Sequence, residues 1–145
     1  GKDIENALHY KAHIFSSVIF VNNNGSFTVQ PLPVEAQLST VNGIIVKDFD
    51  GDNLKDILLA GNKFDVEVET TAADASPGVF LRATGPLAFK SVKPFQSGFF
   101  VPYNVKDIQA INMKGHAAIL VTVNNGAMQL LQVPPSAAEK VIAFR

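Results

Sequence analysis

The sequence predicts an all-β protein of antiparallel strands, and three observations lead to that class. Short apolar or alternating runs recur along the 145 residues and are separated by Gly, Pro and Asn, which is the pattern of all-β proteins. Two Asn-Gly pairs, Asn24-Gly25 and Asn125-Gly126, lie between such runs, and Asn-Gly favours hairpin turns because both residues tolerate a positive φ. Similar segments also return after roughly 60 residues, a spacing that indicates an internal repeat.

Ten runs are predicted to form strands, because each is apolar or alternating and is bounded by turn-forming residues. One helix is predicted over residues 2–11, which include Ile4, Leu8 and several good helix formers. The predicted strands are residues 14–21, 26–30, 43–48, 56–61, 78–82, 88–92, 105–112, 117–123, 128–133 and 141–144.

The composition excludes several classes of protein. Hydrophobic residues make up 47% and charged residues 17% of the chain, which supplies a core and argues against disorder. The net charge of −1 leaves no basic stripe for nucleic acid, and the lack of cysteine excludes disulfides and thiolate zinc sites. No apolar run approaches the roughly 20 residues that cross a bilayer, so we expect no membrane insertion. Gly1 without a preceding Met is typical of a tag remnant, and the first residues lack the regions of a signal peptide.

Three internal matches predict a repeated four-stranded unit. Residues 18–27 match residues 79–89 at an offset of 61 to 62, residues 57–60 match 119–122 at 62, and residues 46–48 match 105–107 at 59. A repeated four-stranded unit is typical of a β-propeller blade. The sequence therefore predicts a propeller fragment of about two and a half four-stranded antiparallel blades. Its predicted parts are a tag remnant and lead-in (1–13), the last two strands of a partial blade (14–40), a complete blade (41–95) and a degenerate third blade without a calcium site (96–145).

The most specific feature is an acidic loop, Asp-Phe-Asp-Gly-Asp-Asn-Leu-Lys-Asp at residues 48–56. Four carboxylates this close repel one another unless a cation neutralises them. Calcium suits such a loop, because it takes about six to eight oxygen ligands in flexible geometry and Gly51 permits a sharp turn. The predicted ligands are the side chains of Asp48, Asp50, Asp52 and Asp56 and the main-chain oxygen of Leu54.

Three other assignments of these acids require a different spacing or geometry. An EF-hand is excluded, because its loop runs over about twelve residues with Gly at the sixth and has helical flanks. Magnesium fits less well, since it prefers a small octahedron that retains several waters. An Asx-rich turn without an ion is the remaining alternative, because Asp, Asn and Gly are the usual turn formers.

The segments around the acidic loop resemble the FG-GAP/VCBS repeat. They read Ile-Val-Lys-Asp-Phe-Asp-Gly-Asp at residues 45–52, Asp-Ile-Leu-Leu-Ala-Gly-Asn at 56–62 and Val-Phe-Leu at 79–81. The resemblance implies a calcium-binding β-propeller blade of the kind found in integrin α-subunits, with ligand roles at the five residues named above. The wider stretch, residues 14–133, is similar to the C-terminal part of large secreted bacterial VCBS/FG-GAP proteins, some with an ASPIC/UnbV label. In the third repeat only Asp107 takes the place of Asp48, which implies one calcium ion per chain.

The function expected from these features is a non-catalytic, calcium-stabilised segment of a secreted or cell-surface protein that serves adhesion, ligand or carbohydrate binding. Millimolar external calcium suits such a site, so we expect an extracellular, periplasmic or cell-surface location. One alternative is an accessory part of a larger extracellular enzyme whose active site lies outside this chain. Another is an all-β sandwich with one calcium loop and coincidental repeats. The exposed blade edges, near residues 14–21 and 117–133, favour a homo-oligomer.

Other candidate sites carry weaker chemistry. The long loop at residues 63–77 is a possible binding site, because long loops on rigid scaffolds often contact ligands; two of its acids could also act as a glycosidase pair. His9 and His13 are spaced for a metal pair on a helix but lack further ligands nearby. The acids of the long loop are Asp65, Glu67, Glu69 and Asp74, and an aromatic cluster that follows it contains Phe95, Phe99, Phe100 and Tyr103.

Overall fold

Nine β-strands form the regular framework of the described chain, which comprises Ile4 and residues 7–133 of this computed structural model. They make three antiparallel sheets of two, four and three strands, each with its strands in sequence order. The all-β prediction is therefore confirmed within the described residues, and no sheet there closes into a barrel. The chain divides into two compact units, with the boundary between Pro31 and Leu32.

The first unit contains one hairpin, made of β1 (Val18–Asn23) and β2 (Ser26–Pro31). Its turn has positive φ at Asn24 (53°) and Gly25 (98°), the geometry that Asn-Gly favours. Of the helix predicted over residues 2–11, Ile4 is helical and residues 7–11 are not. Residues 2, 3, 5 and 6 lie outside the described part of the chain. A short, uncapped helix without a packed face is marginal in water, which explains the difference.

The second unit begins with a short 3-10 helix, η1 (Val34–Gln37), and a four-stranded meander. All six residues of β4 are buried, as expected of a continuous apolar run between two neighbouring strands. On β3 the burial alternates, with Ile45 buried and Ile44 exposed, so one face of that strand packs on the core. The strands of this sheet are β3 (Val41–Lys47), β4 (Asp56–Gly61), β5 (Val79–Gly85) and β6 (Ala88–Val92).

A one-turn helix and a three-stranded meander complete the second unit. The elements are α1 (Pro94–Ser97), β7 (Val105–Met113), β8 (His116–Val123) and β9 (Gln129–Gln132). β7 lies close against β3, since a Cβ added to Gly43 would lie 2.7 Å from the backbone nitrogen of Ile108. The Nδ2 of Asn42 also donates to the carbonyl of Val105 at 2.7 Å. The two sheets therefore share one core, which includes Ile45, Phe49, Leu58, Phe80, Phe99, Val101, Ile108, Ile119 and Val121.

The aromatic cluster predicted at residues 95–103 divides between core and surface. Phe99 is 1% exposed and belongs to the core, whereas Phe95 on α1 is 81% exposed and Phe100 is 55% exposed. Tyr103 is also exposed. Packing therefore accounts for one of the four rings.

The strand registers reproduce the internal repeat found in the sequence. Phe20 pairs with Val29 in the first hairpin, and the matching residues Leu81 and Ser91 pair in the second sheet. The β7–β8 pair likewise repeats the β3–β4 pair, including an irregularity in register after the first residue pair of each. These registers align Val105 with Val41 rather than with Val46.

This alignment corrects the position of Asp107. Asp107 pairs with Thr122 near the beginning of β7, far from the turn, so it does not correspond to Asp48. The place of the acidic loop is taken by a tight turn at Lys114-Gly115, both with positive φ, in which the Oδ1 of Asn112 accepts from the Gly115 N–H at 2.9 Å. The second predicted Asn-Gly turn also lies in a hairpin, between β8 and β9, and Asn125 has a positive φ of 52°. The connection is longer than the two-residue turn that Asn-Gly favours, because it runs over residues 124–128. The strand predicted at 141–144 lies outside the described residues.

Candidate metal centre

The acidic loop connects β3 to β4 and brings three carboxylates together. One oxygen of each of Asp48, Asp50 and Asp56 lies within 4.8 Å of the others. Positive φ values at Gly51 (78°) and Asn53 (69°) let the chain reverse within this short connection. No other group of three acidic or histidine side chains comes together in this way within the described part of the chain.

Backbone amides of the loop hold the carboxylates in place. Asp48 accepts from the Gly51 N–H at 2.6 Å through Oδ1 and from the Asn53 N–H at 3.0 Å through Oδ2. The Oδ1 of Asp50 accepts from the Asp52 N–H at 3.3 Å. Side-chain oxygens of Asp and Asn commonly close turns in this way, so the loop is organised by its own acids.

Asp56, the first residue of β4, is the buried member of the cluster. Its Oδ2 accepts from the Phe49 N–H at 3.0 Å and its Oδ1 from the Ala83 N–H at 2.8 Å, while its side chain is 0% exposed. A buried charge is costly unless it is paired or hydrogen-bonded. Asp56 therefore joins the loop to both β4 and β5.

Burial and backbone hydrogen bonds shift the pKa values of Asp56 and Asp48 in opposite directions. Burial raises the pKa of Asp56 above its ordinary value, even though the two amides favour the charged form, and the nearby charges of Asp50 and Asp52 raise the pKa further. Burial also acts to raise the pKa of Asp48, but the backbone N–H donors of the loop outweigh it, so this pKa is lowered. A cation placed between these groups would relieve the repulsion that Asp56 experiences.

One basic side chain reaches the cluster from β5. The Nε of Arg82 lies 3.0 Å from the Oδ2 of Asp50, and the two side chains are 27% and 13% exposed. Sequence reasoning missed this residue, because Arg82 lies outside the acidic motif. The available signal was a single charged residue that follows the buried run Val79-Phe80-Leu81.

The cluster agrees only in part with the predicted ligand set. Asp48, Asp50 and Asp56 converge as predicted, but the exposed Asp52 turns its Oδ1 to the Leu54 N–H at 2.8 Å and does not join them. The role of the Leu54 carbonyl stays a prediction. Calcium–oxygen distances of about 2.3–2.6 Å allow ligand atoms up to about 5 Å apart around one ion, so the 4.8 Å spread is compatible with one cation.

The acids of the long loop between β4 and β5 form no cluster of three among the described residues. Asp65 accepts from the Nδ2 of Asn104 at 2.8 Å and lies 3.7 Å from the ammonium of Lys106. The hydrogen bond from Asn104 lowers the pKa of Asp65, and nearby Lys charges lower it further. Glu67, Glu69 and Asp74 are exposed.

The backbone of the long loop explains why its acids do not share a face. The Val66 N–H donates to the Phe64 carbonyl and the Thr70 N–H to the Glu67 carbonyl, so this segment turns instead of running as a strand. The alternation of Asp65, Glu67 and Glu69 with Phe64, Val66 and Val68 predicts three acids on one face of an extended segment, and these two turns show that prediction to be wrong. His9 and His13 are exposed and belong to no metal-type cluster among the described residues.

Comparisons with known proteins add no relative: no family model, curated protein or solved structure matches this chain. Within the described residues, no helix has the length and apolar character needed to span a bilayer.

Proposed function

We propose that this chain is a non-catalytic β-propeller segment in which one calcium ion stabilises the acidic loop, and that it serves adhesion, ligand or carbohydrate binding. The observation that carries the proposal is the convergence of three carboxylates within 4.8 Å on a strand-to-strand loop. Asp48, Asp50 and Asp56 would hold the ion, and calcium would supply the positive charge that compensates their repulsion.

Calcium is favoured over magnesium by the donor set. Three carboxylates from one short segment suit an ion with many oxygen ligands and variable geometry, whereas magnesium retains several waters in a strict octahedron. Sites of this kind in extracellular modules bind calcium at high micromolar to millimolar concentration. That range supports a secreted, periplasmic or cell-surface location.

The propeller assignment is supported by the arrangement of the sheets. The second and third sheets are meanders with a common register pattern, and their first strands, β3 and β7, lie next to each other through Gly43 and Asn42. Blades of a propeller are such meanders arranged around an axis, with their inner strands closest. The resemblance to FG-GAP/VCBS repeats points the same way.

The ligand-binding part of the proposal concerns the loop at residues 62–78. The acidic loop precedes β4 and the long loop follows it, so the six residues of β4 separate the two by about 20 Å. Glu67, Glu69 and Asp74 are exposed there, available to a protein or carbohydrate partner. Nucleic acid is disfavoured as a partner by the net charge of −1.

A thermal unfolding experiment tests the calcium site. The full chain is stripped with EDTA and then melted in EDTA, CaCl2 or MgCl2, beside Asp50→Ala and the exposed-acid control Asp74→Ala. Calcium at a hundredfold excess over Kd should stabilise wild type and the control by about 2.7 kcal/mol and leave Asp50→Ala unchanged. Superimposable wild-type curves in EDTA and CaCl2 would refute the calcium site.

A further inference from the structure

Arg82 occupies the position of an internal counter-cation in the carboxylate cluster. Its Nε lies 3.0 Å from the Oδ2 of Asp50, and the Asp50 side chain is only 13% exposed. A guanidinium at this distance, partly shielded from water, neutralises a carboxylate more effectively than a surface lysine does. Part of the negative charge of the cluster is therefore already compensated by the protein itself.

The strand register explains why Arg82 reaches the loop. β5 pairs with β4 so that Leu81 lies opposite Ile57, the residue after Asp56. The next residues of β5 continue toward the loop, where the Ala83 N–H donates to Asp56 and Arg82 contacts Asp50. β5 thus contributes two positive groups to the cluster, one backbone dipole and one full charge.

Building on the calcium site proposed above, we propose that Arg82 competes with the metal ion for Asp50. When calcium is scarce, the guanidinium offsets the repulsion between Asp50 and its neighbours and keeps the loop folded. When calcium binds, the ion and the guanidinium repel each other across one carboxylate, and Arg82 moves away from the Oδ2 of Asp50. Arg82 therefore lowers calcium affinity and sets the concentration at which the loop responds.

Arg82 could instead support calcium binding, and the effect of its removal on calcium affinity would then have the opposite sign. If Arg82 orients Asp50 so that its other oxygen binds the ion, the two cations act together and removal of Arg82 weakens calcium binding. The Oδ1 of Asp50 already accepts from the Asp52 N–H at 3.3 Å. Because both oxygens of Asp50 have partners in this structure, an incoming ion must displace or share one of them. The sign of the affinity change separates the two roles.

The test is calorimetric titration of CaCl2 into the EDTA-stripped, dialysed full chain. Wild type is compared with Arg82→Gln and with Lys90→Gln, a matched control that removes the same charge from the exposed residue directly opposite Arg82 in the β5–β6 pair. Arg82→Gln should bind calcium about fivefold more tightly or better, since a charge-assisted contact no longer has to be broken. Lys90→Gln should change the affinity by less than about twofold at physiological salt.

A melting measurement in EDTA supplies the second arm. Arg82→Gln should melt at a lower temperature than wild type without calcium, and the gap should close when calcium is added. Arg82→Lys keeps the charge but loses the guanidinium, so its calcium affinity and its melting temperature in EDTA should lie between those of wild type and Arg82→Gln. It replaces Arg82→Gln in both measurements if the Gln variant does not fold.

The outcomes distinguish this inference from the calcium site itself. Wild-type calcium binding with equal or weaker binding by Arg82→Gln and Arg82→Lys overturns the competition and leaves the calcium site standing. If neither wild type nor the Arg82 variants release heat or gain thermal stability with calcium, both proposals fall together. Binding by Arg82→Gln alone would show that Arg82 excludes calcium from the cluster, and it would refute calcium binding by the wild-type chain.

Discussion

Replacement of Asp56 by Ala in the absence of metal measures how much this side chain stabilises the fold through its own hydrogen bonds. Asp56 is 0% exposed and accepts the N–H groups of Phe49 and Ala83. Ala leaves both donors without this acceptor, and an unsatisfied buried polar group costs about 1–3 kcal/mol. The loss of a buried charge whose pKa is raised by burial returns part of that cost. We expect Asp56→Ala to lower the free energy of unfolding in EDTA by about 2–4 kcal/mol.

Urea denaturation in EDTA measures this effect, with Asp52→Ala as the matched control. Asp52 is exposed and accepts one N–H, from Leu54 within its own loop, so its removal should cost less than about 1 kcal/mol. Amide hydrogen exchange at Ala83 adds a local readout, since its protection should fall in Asp56→Ala and persist in Asp52→Ala. A free energy of unfolding for Asp56→Ala within about 0.5 kcal/mol of wild type would refute the conclusion that Asp56 stabilises the fold by joining the loop to β4 and β5.

Three further predictions follow from contacts elsewhere in the chain. Gly43→Ala should lower the free energy of unfolding by about 1–3 kcal/mol, because its Cβ would meet the backbone of β7 at 2.7 Å. Gly85→Ala is the control, since the nearest neighbour of its added Cβ lies at 3.8 Å. Equal losses of unfolding free energy in the two variants would contradict the close packing of β3 and β7. The lowered pKa of Asp65 contributes stability that is present above its ordinary value near 3.8 and is lost as the pH falls through the lower folded value. Asn104→Ala should therefore flatten the stability profile of the chain below about pH 4, and an unchanged profile would contradict the role of that hydrogen bond. Within the described residues β1 and β2 form a two-stranded sheet, and the edges of so small a sheet favour pairing with a second copy. Light scattering should therefore show self-association that grows with concentration, and a monomer at high micromolar concentration would argue against it.

The strands and the acidic loop were predictable from the sequence because their signals are local. β4 and β6 begin and end at the predicted residues, since each is a short apolar run between turn formers. The turn at Asn24-Gly25 follows from two residues that tolerate positive φ. The carboxylates of Asp48 and Asp50 converge because they alternate along a tight loop.

The contacts that complete the site were not predictable, because they depend on pairing between distant strands. Arg82 and Ala83 reach the loop only through the β4–β5 register, which forms after the long connection at residues 62–78. The same dependence explains the wrong alignment of Asp107. Sequence similarity matched three residues, Val-Lys-Asp, whereas the strand register aligned the whole hairpin.

The corrected alignment gives a physical reason why the second sheet carries the acidic loop and the third does not. Asn112, two residues before Lys114-Gly115, accepts the Gly115 N–H, as Asp48 accepts the Gly51 N–H. The two connections thus share the same first hydrogen bond, formed by an Asx side chain and a glycine three residues later. The third sheet returns at once into β8, with a neutral acceptor and no further acids, so it has no repulsion to compensate. The second sheet extends the loop by several residues and places two more carboxylates beside the first.

We infer that the added acids carry a cost that only an opposite charge offsets, whether calcium or Arg82 supplies it. A loop with Asp48→Asn, Asp50→Asn and Asp56→Asn should therefore lose its response to calcium and its dependence on Arg82 together; a response of thermal stability to calcium that persists in this triple variant would contradict that coupling.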